Sequence, residues 1–197
     1  MRTLVAIVRG CFITIFACVF QAVHPDLSNP NARHPMLNRW KDRLLQTYMS
    51  LIVPEFMVLG ATRQRSGAKF LKRKVDEMIP STFQWTMTHA HFIQMGGFAY
   101  RNDDQEVKAL FPHTFLEYLK AGRLVIEELR LVTEADIKDK SKGNIISKGL
   151  VITQTMWFVF ECLARLHQKL PLVKLEVITL AFAVLTTLMY IQWWSKP

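Results

Sequence analysis

Whatever chemistry this chain could perform would rest on Glu55, His89, His91, Gln154, Glu161, Arg165 and Glu176. Gln154, Trp157, Glu161 and Arg165 are spaced three, four and four apart, which on a helix aligns them along one face. A carboxylate buried on such a face could bind a cation or shuttle a proton. The plainer reading, which we prefer, is an i,i+4 ion pair between Glu161 and Arg165 at a membrane edge, because interfacial charges snorkel and polar groups in lipid carry function mainly when deep. Glu176 heads a second stripe with Thr179, Ala183, Thr186 and Tyr190, and Thr179, Ala183 and Thr187 recur at four-residue spacing. Small and hydroxylated residues at that interval let helices approach closely, so packing is the first expectation and a polar pathway facing Gln154 and Glu161 the alternative. His89 and His91 are residue types that ligate zinc or iron, but on a helix positions two apart point about 200° from each other. Without HExxH or a paired acidic motif we read them as histidines at an aqueous interface and expect no metal site. No Ser/His/Asp or Cys/His set is recognisable by spacing, and nothing calls for a cofactor.

The elements that must hold these residues are helices in lipid. Two apolar runs, Gly149 to Ala164 and Val177 to Trp194, flank a short basic loop, and the second ends on Trp193, Trp194 and Lys196, the aromatic and cationic signature of the headgroup level. About 18 residues at about 1.5 Å rise cover about 27 Å, close to the hydrocarbon thickness. The short loop, with Pro171, predicts an antiparallel pair in contact through Thr179 and Ala183. The first run, Leu4 to Val23, is interrupted by Arg9; Phe20 makes the stretch before Ala22 a poor cleavage signal, so an uncleaved helix is favoured over a signal peptide. Leu44 to Gly60 contains Gln46, Pro54 and Glu55 and has basic residues on both sides, which favours an interfacial or re-entrant helix kinked at Pro54. The fold class expected is all-α: a helical integral membrane protein with a membrane helix over 1–23, a basic peripheral region over 24–146 and a transmembrane hairpin over 147–197, with strands nearly absent.

The formal net charge of the 197 residues is +9. Much of it falls between Arg33 and Lys74, which beside membrane segments points to the cytoplasmic side and anionic lipid. Lys72, Arg73 and Lys74, and the juxtamembrane group Lys140, Lys142 and Lys148, are the expected headgroup contacts. Nucleic acid is not expected as a partner, because Arg63 to Lys74 interleaves only Phe70 among its cations. Cys11, Cys18 and Cys162 form no disulfide framework and read as small buried hydrophobes. In the middle, Phe83 to Phe98 reads as an amphipathic helix ended by Gly96 and Gly97, Phe115 to Val132 as a second, and Thr133 with Asp136 as a capping box opening a short helix that Gly143 closes.

TIFACVFQAVHP from Thr14 to Pro25, VPEFMVLGATRQ from Val53, WTMTHAHFIQMGGF from Trp85, DKSKGNIISKGLVITQTMWF from Asp139 and LPLVKLEVITLAFAVLTTLMYIQWWSKP at the end together resemble a large fungal family of multi-pass membrane proteins. Relatives usually continue past WWxKP, and a Gly-Asp pair common among them is Gly143 and Asn144 here, so the resemblance implies a short or incomplete member. It implies membrane integration and no particular activity. The leading expectation is therefore a non-enzymatic transport-related, sensing or scaffold component of the plasma membrane or an endomembrane, with a helix partner or a second copy of itself as a further contact. The rival is an interfacial enzyme acting on a lipid or isoprenoid, with Glu55, His89, His91 and Glu161 converging as acid and base groups.

Overall fold

The computed structural model describes residues 3–24, 26–27, 34–79, 85–101, 107–123, 129, 131–139 and 143–197. The helices are α1 (Leu4–Ala22), α2 (Pro35–Ile52), α3 (Pro54–Met78), α4 (Met87–Gln94), α5 (Pro112–Lys120), α6 (Glu134–Asp139), α7 (Gly143–His167) and α8 (Lys174–Gln192). Two short strands, β1 (Ala99–Arg101) and β2 (Val107–Ala109), pair antiparallel with Tyr100 opposite Lys108. Their pairing is an addition to the all-α expectation. α1, the Gly149–His167 part of α7 and α8 are each long and apolar enough to cross a membrane.

The C-terminal helices do not form the close pair expected of them. α1 lies between them, and the buried stripe Thr179, Ala183, Thr186 and Met189 belongs to a helix whose main neighbours are α1 and α3. Near the 168–173 loop, Cys11 of α1 packs with Phe158 and Cys162 of α7 and with Leu172 and Leu175. At the far end, Ala22 packs with Met189, Trp193 and Ala61 of α3. α1 therefore runs parallel to α8 and antiparallel to α7. Small side chains at Cys11, Cys18, Ala22 and Ala183 permit these approaches.

Proline sets the next turn of the chain. Pro54 lacks an N–H, and with Val53 outside the helical region (φ −134°, ψ 70°) the chain leaves α2 and starts α3 at an angle of 120°, so the expected kink is a full break. The corner exposes Ile52, Val53, Phe56 and Leu59. α3 then passes the end of α8 and enters a second core, where Ala68, Leu71 and Val75 pack with Trp85, Ala90, Ile93, Leu110 and Phe115. α4 ends as a Schellman motif: Gly97 N donates to Phe92 O (2.8 Å) and Gly96 N to Ile93 O (2.9 Å), with Gly96 at φ +77°. α6 opens on the expected box, Thr133 N donating to the Asp136 carboxylate (3.0 Å) and Asp136 N to Thr133 Oγ1 (3.2 Å). Gly143 opens α7 instead of closing α6. Helix α5 ends at Lys120, short of Val132; positions 80–84, 124–128 and 140–142 lie outside the described residues.

Candidate functional site

Both histidines of α4 are buried, not set at an aqueous interface as expected, and they face different neighbours. His89 is the N3 residue of the helix. Its Nδ1 accepts from the Thr86 backbone N–H (3.3 Å), so the proton is on Nε2, which donates to Val132 O (3.0 Å). Nδ1 thus caps the start of α4, and Nε2 holds the helix to the segment before α6. Beside them Thr88 donates to Glu134 (2.8 Å), whose carboxyl is held below the ordinary glutamate range first by its bond to Lys138 and also by Thr88, against a smaller opposing effect of burial. His91 faces α3 and the C-terminus. Its two ring nitrogens are buried without a well-formed hydrogen bond, and burial, then the cations Lys196 and Arg65, pushes it down to about 4 despite Gln94 beside it. The Gln94 side chain approaches the Gly67 backbone so closely that a Cβ at Gly67 would lie 2.6 Å from Gln94 Nε2.

Around His91 a polar knot ties the chain's end to its beginning. The Lys196 ammonium is buried and donates to His24 O (2.8 Å), Asp26 Oδ1 (3.0 Å) and Gln64 Oε1 (3.1 Å). Burial lowers its affinity for the proton, and Asp26 restores part of it. Gln64 also accepts from Trp193 Nε1 (2.8 Å), and Arg65 donates to Ile191 O (2.8 Å), one of the carbonyls that a helix C-terminus leaves open. His24, Asp26, the middle of α3 and the residues after α8 are thereby fixed to one another. Sequence reasoning missed this knot; WWSKP and ATRQ were legible as motifs, but neither says that they touch.

The remaining candidates lie elsewhere. Arg165 pairs with Glu176 (2.6 Å) and not with Glu161, because Glu176, buried at the start of α8, also caps the Val173 N–H (2.9 Å) and draws the guanidinium across the loop. Glu161 accepts from Trp157 Nε1 (2.8 Å). Gln154 donates to Thr14 Oγ1 (3.3 Å), and Cys18 shares a hydrogen bond with Thr155 (2.9 Å), so the polar groups of α7 join it to α1. Glu55 is exposed in the first turn of α3, where its charge complements the helix dipole. Lys72 and Lys74 pair with Asp76 and Glu77 on the exposed side of α3, and Arg73 is exposed beside them. Lys140 and Lys142 lie outside the described residues, and only the backbone of Lys148, within α7, is described. Among the described residues no three His, Cys, Asp or Glu side chains gather as metal ligands would.

Where α7 and α8 diverge, with α1 as floor, a cleft of about 470 Å³ opens, a size common for small-molecule pockets. Its walls include Cys18, Ile152, Thr155, Thr186 and Tyr190, and His24, Trp193 and Trp194 line it as well. None of Glu55, His89, His91 and Glu161 borders it.

A family model spanning residues 1–197 matches the whole chain. The chain belongs to DUF8562. DUF8562 is a family of unknown function. No curated protein and no solved structure matches the chain. The DUF8562 chain thus joins three helices long and apolar enough to span a membrane, a second helical core, a polar knot and an apolar cleft.

Proposed function

We propose that this DUF8562 member is a multi-pass integral membrane scaffold that performs no chemistry itself and holds a basic helical layer against the anionic cytoplasmic face of a membrane. One observation carries the reading: α3 belongs to both cores. Ala61 packs with Ala22 and Met189, while Ala68, Leu71 and Val75 of the same helix pack with α4 and α5. A continuous helix shared this way acts as a strut, setting the position of the peripheral layer relative to the spans. The exposed apolar side of α7, with Ile152, Met156, Phe160 and Leu163, fits contact with acyl chains. The alternative of an interfacial enzyme draws no support from the geometry, since Glu55, His89, His91 and Glu161 occupy separate settings. In this reading residues 24–146 and Pro197 share the cytoplasmic side, and the Lys196 bonds to His24 and Asp26 support that grouping.

The test uses the full chain in nanodiscs. A photoactivatable anionic phospholipid should cross-link to the 69–78 part of α3, and the combined charge reversals Lys72→Glu, Arg73→Glu and Lys74→Glu should suppress it, since each basic residue near an anionic surface contributes about 1 kcal/mol. Equal labelling by a neutral phospholipid, or no effect of the reversals on a folded variant, would refute the headgroup role.

A further inference from the structure

The cleft between α7 and α8 is walled mainly by apolar side chains. Tyr190 lines the cleft, and its buried hydroxyl has no hydrogen-bond partner among the described residues. The other hydroxyls there are spoken for: Thr186 donates to Phe182 O (2.8 Å), Thr187 to Ala183 O (2.7 Å) and Thr155 to Val151 O (2.7 Å). An apolar wall with a lone buried phenol selects a ligand with an apolar body and a single hydrogen-bonding group, because leaving that group unpaired costs about 1–3 kcal/mol.

Depth narrows the class. Tyr190 lies one helical turn, about 5 Å, inside Trp193 and Trp194, the pair expected at the headgroup level. A ligand hydroxyl bonding Tyr190 would sit just below the headgroups, with its body between α7 and α8 and in contact with Cys18 on the floor. Charge narrows it further. No lysine or arginine lines the cleft; Arg43, near enough to Tyr190 to act on it electrostatically, donates to Phe20 O (3.2 Å) and lies over the Phe20 ring, and Lys196, close in sequence to the mouth, spends its ammonium on three protein oxygens. The mouth therefore lacks the cation that a phosphate would need, whereas the ring of Trp194 is 86% exposed and free to flank a flat ring system. We propose that this cleft binds a membrane sterol, its hydroxyl bonded to Tyr190 and its fused rings held between α7 and α8. The order Leu188, Tyr190, Lys196 also satisfies the loose sterol-contact pattern. The proposal rests on the membrane reading above and adds the ligand to it.

The experiment is photo-cross-linking of the full chain in nanodiscs with a diazirine sterol, followed by peptide mapping. Label should fall on residues 150–156 and 186–194, and unlabelled sterol should compete while a fatty acid or phosphatidylcholine should not. Tyr190→Phe, which keeps the ring and removes the hydroxyl, should weaken competition at least about fivefold, the effect of one lost buried hydrogen bond. Ile152→Trp, which fills the cleft from an exposed position, should abolish labelling without changing thermal stability in sterol-free discs. Equal competition by an acyl-chain lipid, labelling elsewhere, or an unchanged Tyr190→Phe would overturn the sterol site. Resistance of the protein to alkaline carbonate extraction is measured in parallel: a protein retained in membranes but unlabelled overturns the sterol proposal alone, and one released from them overturns the membrane reading itself.

Discussion

At the scale of single residues, burial of His91 outside the long apolar helices makes stability depend on pH. Its ring is buried between α4, Arg65 of α3 and Lys196 after α8, with Gln94 as the polar neighbour on its own helix. Its proton affinity is lower in the folded chain than in the unfolded chain, about 4 against 6.5. Between those values the unfolded chain binds more protons, so stability is complete above pH 6.5 and falls as pH drops towards 4. The loss at low pH is of order 3 kcal/mol. His91→Gln should flatten this part of the profile in thermal melts of the detergent-solubilised protein; a wild-type melt that does not change from pH 6.5 to 4 would contradict the burial of a neutral imidazole. The opposed settings of His89 and His91 were legible in the sequence, since residues two apart on a helix diverge. The choice of Glu176 over Glu161 by Arg165 was not, because it depends on the loop bringing α8 back beside α7.

At the scale of elements, the long apolar helices were legible because about 20 apolar residues leave few alternatives in lipid. The strands were not: with three residues each, β1 and β2 are too short for alternation to show. The end of α4 was legible, and it gives a measurable consequence. Gly96 at φ +77° lets the last carbonyls of α4 meet the Gly96 and Gly97 N–H groups, and the chain then enters β1. Gly96→Ala should cost about 1–2 kcal/mol, the penalty for an L side chain in the left-handed region. Gly97→Ala should cost more, because its Cβ would run into the Phe92 ring. Denaturant titration of both variants checks the order; a reversed order would mean that Phe92 moves aside freely.

At the scale of the whole molecule, the position of α1 reorganises what the sequence suggests. Apolar helices carry little information about which neighbour they choose, and a stripe such as Thr179, Ala183 and Thr186 marks a packing face without naming the partner. The candidate site was half legible for the same reason: Tyr190 stood out on its stripe, but a cleft exists only because α1 holds α7 and α8 apart. The arrangement groups the chain ends into two sets. Ile7 and Cys11 lie with Leu172 and Leu175 at one end, and His24, Gln64 and Lys196 lie together at the other. If the three apolar helices cross a bilayer, these sets face opposite compartments. Single cysteines at Gln168 and Ser66, in a chain with Cys11, Cys18 and Cys162 replaced by alanine, should therefore react with an impermeant maleimide from opposite sides of sealed vesicles. Labelling of both from the same side would break the three-span arrangement, whichever compartment is basic. With opposite labelling, the basic charge between Arg33 and Lys74 fixes the orientation, and Ser66 should be the site protected in intact cells.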